Sequence, residues 1–149
     1  MYDIIRTLHS YWAFLVILAL AIAVINSIIK LSTKKEFEAK DIRLGLFALI
    51  FSHIQLLIGL VLYFVTPYFS QFGEQGMGAV MKDPTLRLYL VEHPLINILA
   101  IVFITMGWSK HKKKVASDSK FKMFAIFYTI GLVLLLSRIP WSTWLGQFS

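Results

Sequence analysis

Long apolar runs separated by short polar clusters set the plan of this chain. From Thr7 to Ile29 there are 23 consecutive residues without a formal charge, enough for a helix of about 35 Å. The run is longer than a signal peptide's apolar core and ends in a Lys-rich segment instead of a small-residue cleavage site, so it reads as a spanning helix. A second run starts after Arg43 and ends near Thr66, where Pro67, Tyr68, Phe69 and Ser70 mark an interface and a turn. In the third, the uncharged stretch is only His93 to Ser109. Its helix is therefore expected to begin near Leu86, with Arg87 reaching back to headgroups, Pro94 kinking the first turn, and Asp83 and Pro84 as N-cap and first residue. The fourth, Met123 to Ser137, covers about 22 Å and must extend beyond Lys122 or Arg138 to cross about 30 Å of hydrocarbon.

This pattern predicts an all-α integral membrane protein, an up-down four-helix transmembrane bundle. One membrane domain is expected over residues 1–149, with helices at about 4–30, 44–66, 86–109 and 121–143 and an outer loop at 67–85.

Composition agrees. Of 149 residues 58% are hydrophobic and only 23 are Asp, Glu, Lys or Arg, and these charges punctuate the apolar runs instead of alternating with them. The net charge of +7 comes from lysines beside apolar spans, where retention on the cytoplasmic face and contact with anionic lipid explain them without nucleic acid. With no cysteine, disulfides, zinc thiolates, iron–sulfur clusters and c-type haem attachment are excluded.

The charges also orient the chain. Lys30, Lys34, Lys35, Lys40 and Arg43 lie between the first two runs, and Lys110, Lys112, Lys113, Lys114, Lys120 and Lys122 between the last two. That is eleven basic residues against four, Arg6, Lys82, Arg87 and Arg138, at the other ends. The positive-inside rule puts the two basic loops in the cytoplasm and both termini outside. The chain is then two similarly oriented hairpins. In the outer connection, the Gly-Glu-Gln-Gly-Met-Gly string at 73–78 follows no strand and makes no dinucleotide fingerprint.

Three of the four histidines fall inside the apolar spans. Ligand-capable residues at membrane depth are functional candidates, with interhelix hydrogen bonding as the structural alternative. His9 lies about 13 Å, and His93 about 6 Å, to the outer side of the midplane, and His53 about 3 Å to the cytoplasmic side. The first helix of each hairpin thus carries an outer histidine, in Leu8-His9-Ser10 and Glu92-His93-Pro94. In an up-down bundle those helices are diagonal, so the two imidazoles can approach a macrocycle from opposite faces. Arg138 falls at the same level, suited to a haem propionate, to the headgroups or to Glu92. Asn97, four residues after His93, shares its face and is placed to orient the imidazole or meet a cofactor edge. His53 has three readings: a substitute axial ligand, a quinone or proton site, or a hydrogen-bonded core residue. Gln55 faces elsewhere from His53. His111, in Ser-Lys-His-Lys-Lys-Lys, is expected in solvent. Gly45, Ser52 and Gly59 recur every seven residues as a small-residue packing stripe. No nucleophile, base and orienting group occur together, so the chain reads as a carrier or redox subunit more than a stand-alone enzyme.

Through Leu8-His9-Ser10, His53, Glu92-His93-Pro94 and Arg138-Ile139-Pro140-Trp141, and through its helix and loop rhythm, the chain resembles small four-helix bacterial membrane proteins catalogued as cytochrome b. Its plan is similar to that of bacterial cytochrome b561-type proteins. The resemblance implies b haem in the bundle, electron exchange with a quinol or a redox-protein partner, and a bacterial inner membrane. Three intramembrane histidines depart from a two-haem pattern and set one haem b as the ceiling. Two other classes compete: a non-catalytic accessory or assembly subunit of a larger membrane complex or homo-oligomer, and a copper or other metal site formed by His9, His53 and His93, which needs the three rings to converge.

Overall fold

Each apolar run becomes a long helix, and each helix begins before its charge-free stretch. The computed structural model describes residues 1–147, so the last two residues of the expected domain lie outside the described residues. Helix α1 is Tyr2–Ser32 and α2 is Ala39–Val65. The connection expected as a loop at 67–85 instead carries two short helices, α3 (Gln71–Gln75) and α4 (Met77–Lys82). Helix α5 runs from Pro84 to Lys112 and α6 from Ser117 to Ser137, followed by the short α7 (Trp141–Gly146). Among the described residues there is no strand.

Four of these helices, α1, α2, α5 and α6, are long and apolar enough to cross a membrane. They are apolar nearly all round: Leu18, Leu57, Phe64 and Val133 are each 58–64% exposed, as suits helices solvated by lipid. In the bundle α1 packs on α2, α2 on α5, α5 on α6 and α6 on α1. Helices α1 and α5 are therefore diagonal, as are α2 and α6.

The extra length of α2 has a local cause. Asp41, only 2% exposed, closes the first turn by accepting from the Glu38 backbone N–H at 2.8 Å, while the Glu38 side chain caps in return. Its other oxygen accepts from Lys30 at 2.8 Å and Asn26 at 2.9 Å on α1. Charge counting placed Lys30 in the basic loop between the first two runs. The structure instead pairs it inside the bundle, because a carboxylate placed at a buried helix start needs a cation.

The two basic loops meet at this end, where Ser117 Oγ accepts from the Phe37 N–H at 2.8 Å. Above them the core is tight. Val16, Leu20, Ala23, Ala48, Ile104, Phe124 and Tyr128 form one buried cluster, and small residues let the helices close on it. Phe124 covers Gly45, Tyr128 and Phe127 lie over Gly107, and Ile104 lies over Gly131. Across the diagonal, Tyr128 donates its hydroxyl proton to the Gly45 carbonyl at 2.8 Å.

Prolines shape the opposite end, the histidine end. Pro94 has no N–H to give the Leu90 carbonyl one turn back. There α5 widens into a π-turn at Leu88–Glu92, and the Tyr63 hydroxyl donates to Leu90 O at 3.0 Å. Pro140 does the same to Leu136: α6 stops, and the Trp141 indole N–H donates to Leu136 O at 3.1 Å.

Candidate functional site: a cavity between two histidines

The bundle is filled at its lysine end and hollow at its histidine end. A cavity of about 590 Å³ opens there, lined by residues of α1, α2, α5, α6 and the α3–α4 segment, among them His9, Gln55, Gly59, Phe72, Met77, His93 and Asn97. That volume and a mostly apolar wall with a few convergent polar groups are those of a ligand pocket.

His9 on α1 and His93 on α5 face each other across this space, their ring centroids 6.1 Å apart and their planes at 83°. The Nδ1–Cε1 edge of His9 rests on α2 at Gly59, where a Cβ would lie 3.3 Å from Cε1. Any larger residue would push the imidazole away. His93 is held through Nδ1, which donates to the Arg138 carbonyl at 2.9 Å. That carbonyl is free because α6 has just ended before Pro140. Asn97, one turn along α5, brings its amide nitrogen within 3.1 Å of Nδ1 and 3.0 Å of Nε2 of His93.

Among the described residues, three buried polar atoms around the cavity have no hydrogen-bond partner: His9 Nδ1, Gln55 Oε1 and Asn97 Oδ1. A buried acceptor or donor left unpaired costs about 1–3 kcal/mol, so three at one site suit a ligand or a rearrangement that satisfies them.

The remaining expected site residues lie elsewhere. Arg138 turns its guanidinium away from the cavity, 3.6 Å from Glu92 and 3.0 Å from the Ser137 carbonyl. It serves His93 with its backbone instead. Glu92 also pairs with Arg87 at 2.7 Å. The arginine on the cavity wall is Arg6. His53 is outside the lining, its nitrogens on Leu49 O at 2.7 Å and Thr105 Oγ1 at 3.3 Å, which ties α2 to α5. Among the described residues no group of three or more His, Asp or Glu converges to hold a metal ion. The three rings that the copper alternative needs are not brought together: His9 and His93 share the cavity, and His53 is held off it by Thr105 and Leu49.

Two features escaped the sequence reading. His111, expected in solvent, is 2% exposed and packs among Phe37, Trp108 and Phe124 with ring centroids 4.4–5.7 Å away. Its Nδ1 donates to the Trp108 carbonyl. The lysines around it hid the signal; the aromatics at 37, 108 and 124 carried it. The second is α7, which tucks back on α1: the Trp144 indole donates to Ser10 O at 3.2 Å and the Gln147 amide to Ser10 Oγ at 3.0 Å.

No protein-family profile, curated protein or solved structure matches the chain. Its function has to be argued from the cavity itself.

Proposed function

We propose that this chain is a multi-pass protein of a bacterial inner membrane that holds one b haem between His9 and His93 and passes electrons within the membrane. In this reading the lysine end faces the cytoplasm and the haem lies toward the outer side. The observation that carries it is the 6.1 Å separation of two imidazoles on diagonal helices inside a cavity of about 590 Å³. Two imidazoles on opposite sides of one metal ion have centroids roughly 6.3 Å apart, given a metal–nitrogen distance of about 2.0 Å and the radius of a five-membered ring. The residues present fit the group.

His93 would serve through Nε2, since Nδ1–H is committed to the Arg138 carbonyl, a bond that fixes the tautomer and raises the basicity of the ligating nitrogen. His9 would hold the group from α1, with Gly59 leaving room for its ring. Arg6 replaces Arg138 as the cation on the cavity wall available to acidic groups. Bound haem supplies one-electron chemistry, with its potential set by the axial ligands, their hydrogen bonds and burial. The lipid bilayer is the solvent of the bundle, and a quinol or a redox protein is the electron partner.

An optical spectrum of the purified protein tests the reading. A Soret band and a reducible α-band are expected, and their absence from protein expressed with ample haem would overturn it. One observation favours a second reading, an accessory or assembly subunit whose histidines join helices. The Asn97 amide lies 3.0 Å from His93 Nε2, the atom a metal needs. Stable co-purification with a partner and no bound cofactor would support that reading instead.

A further inference from the structure

His9 and His93 differ in one respect that bears on ligation. His93 has a fixed acceptor for its second ring nitrogen, the Arg138 carbonyl. His9 has none, and its Nδ1 is buried without a partner. A metal-ligating imidazole almost always donates its other N–H, which orients the ring and sets its basicity. Gln55 is the residue beside it with an acceptor to spare. Its amide nitrogen donates to the His9 carbonyl at 2.8 Å, which fixes the orientation of the amide and leaves Oε1 buried and unpaired. Gln55 and Gly59 are four residues apart on α2 and share a face, and the Nδ1–Cε1 edge of His9 rests on Gly59. His9 Nδ1 therefore rests against a residue one helical turn from Gln55, whose Oε1 is also unpaired.

Resting on the haem reading above, we infer that Gln55 is the positioning residue for His9: when His9 ligates through Nε2, Nδ1–H donates to Gln55 Oε1. This mirrors the Arg138 carbonyl on His93. It satisfies both orphaned atoms at once and makes the two axial ligands unequal, one held by a backbone carbonyl of α6 and the other by a side chain of α2. Gln55 then tunes the iron. A stronger acceptor on Nδ1 gives the imidazole more imidazolate character and favours the ferric state, lowering the midpoint potential; loss of the acceptor raises it.

The test compares wild type with Gln55→Met and Gln55→Glu, reading haem content, midpoint potential and the low-spin ferric electron paramagnetic resonance spectrum. Both substitutions remove the amide donor to the His9 carbonyl, but only glutamate keeps an acceptor. The inference expects Gln55→Met to raise the potential and shift the ferric spectrum, and Gln55→Glu to shift both in the opposite direction. A haem-loaded wild type whose potential and spectrum Gln55→Met leaves unchanged, or two variants shifted alike, would overturn the role of Gln55 while leaving the haem reading intact. A wild type without a Soret band would instead remove the haem reading, and this inference with it. Should Gln55→Met fail to fold, the direction of the Gln55→Glu shift alone decides.

Discussion

The two histidines lining the cavity and the two outside it should respond differently to substitution. His93→Ala removes a proposed ligand and is expected to abolish the Soret band of the purified protein. His111→Ala should leave that band intact. It empties an aromatic cage at the far end of the bundle and should cost about 2 kcal/mol of stability, read as earlier thermal unfolding in detergent. If His111→Ala lost haem while His93→Ala kept it, the proposed site would be in the wrong half of the molecule. Asp41 is a third residue with a distinct expectation. Asp41→Ala leaves Lys30, whose side chain is 15% exposed, without its carboxylate and strips the first turn of α2. Breaking a buried pair in this way costs about 3–5 kcal/mol, measurable as a loss of folded yield that Asp41→Asn only partly restores.

At the scale of elements, glycine spacing decides where helices touch and where they part. Of the stripe at Gly45, Ser52 and Gly59 on α2, the first allows close packing and the last accommodates an imidazole. A Cβ at Gly45 would fall 2.5 Å from Phe124 Cζ, so Gly45→Ala should cost about 1–3 kcal/mol by overpacking with no effect on the cavity. Gly59→Ala, whose Cβ meets only the His9 ring, 3.3 Å from Cε1 and 3.7 Å from Nδ1, should leave stability nearly unchanged and displace His9. Weaker haem retention in Gly59→Ala than in Gly45→Ala, measured on matched preparations, is the expected result; the reverse order would detach Gly59 from the site. The apolar runs, Pro94 and the Asp83-Pro84 start were legible in the sequence, because length, hydropathy and proline chemistry are local properties. The α3 and α4 segments were not, since five or six residues of helix carry too few turns to show a period.

Over the whole molecule, the two ends differ in charge and in filling. The lysine end is closed by the Asp41 network and the aromatic cluster, and the histidine end is open. The absence of cysteine makes the proposed orientation easy to test with single-cysteine variants. In intact cells made permeable only at their outer membrane, an impermeant thiol reagent should label Glu74→Cys and spare Val115→Cys, two exposed positions at opposite ends of the bundle. Labelling in the opposite sense would invert the topology and place the cavity on the cytoplasmic side.

What the sequence determined by itself is the number of long helices, their apolar surfaces and the placing of His9 and His93 near the same ends of diagonal helices. Those follow from composition and connectivity, which require no knowledge of side-chain contacts. Which polar residues face one another was settled by the packing of the helices. It drew His111 out of solvent into an aromatic cage, gave His53 to Thr105 and Leu49, turned Arg138 toward Glu92, and set Gln55 beside His9. Such pairings depend on helix rotation and close approach, and a helix apolar on every side has no period from which its inward face can be read.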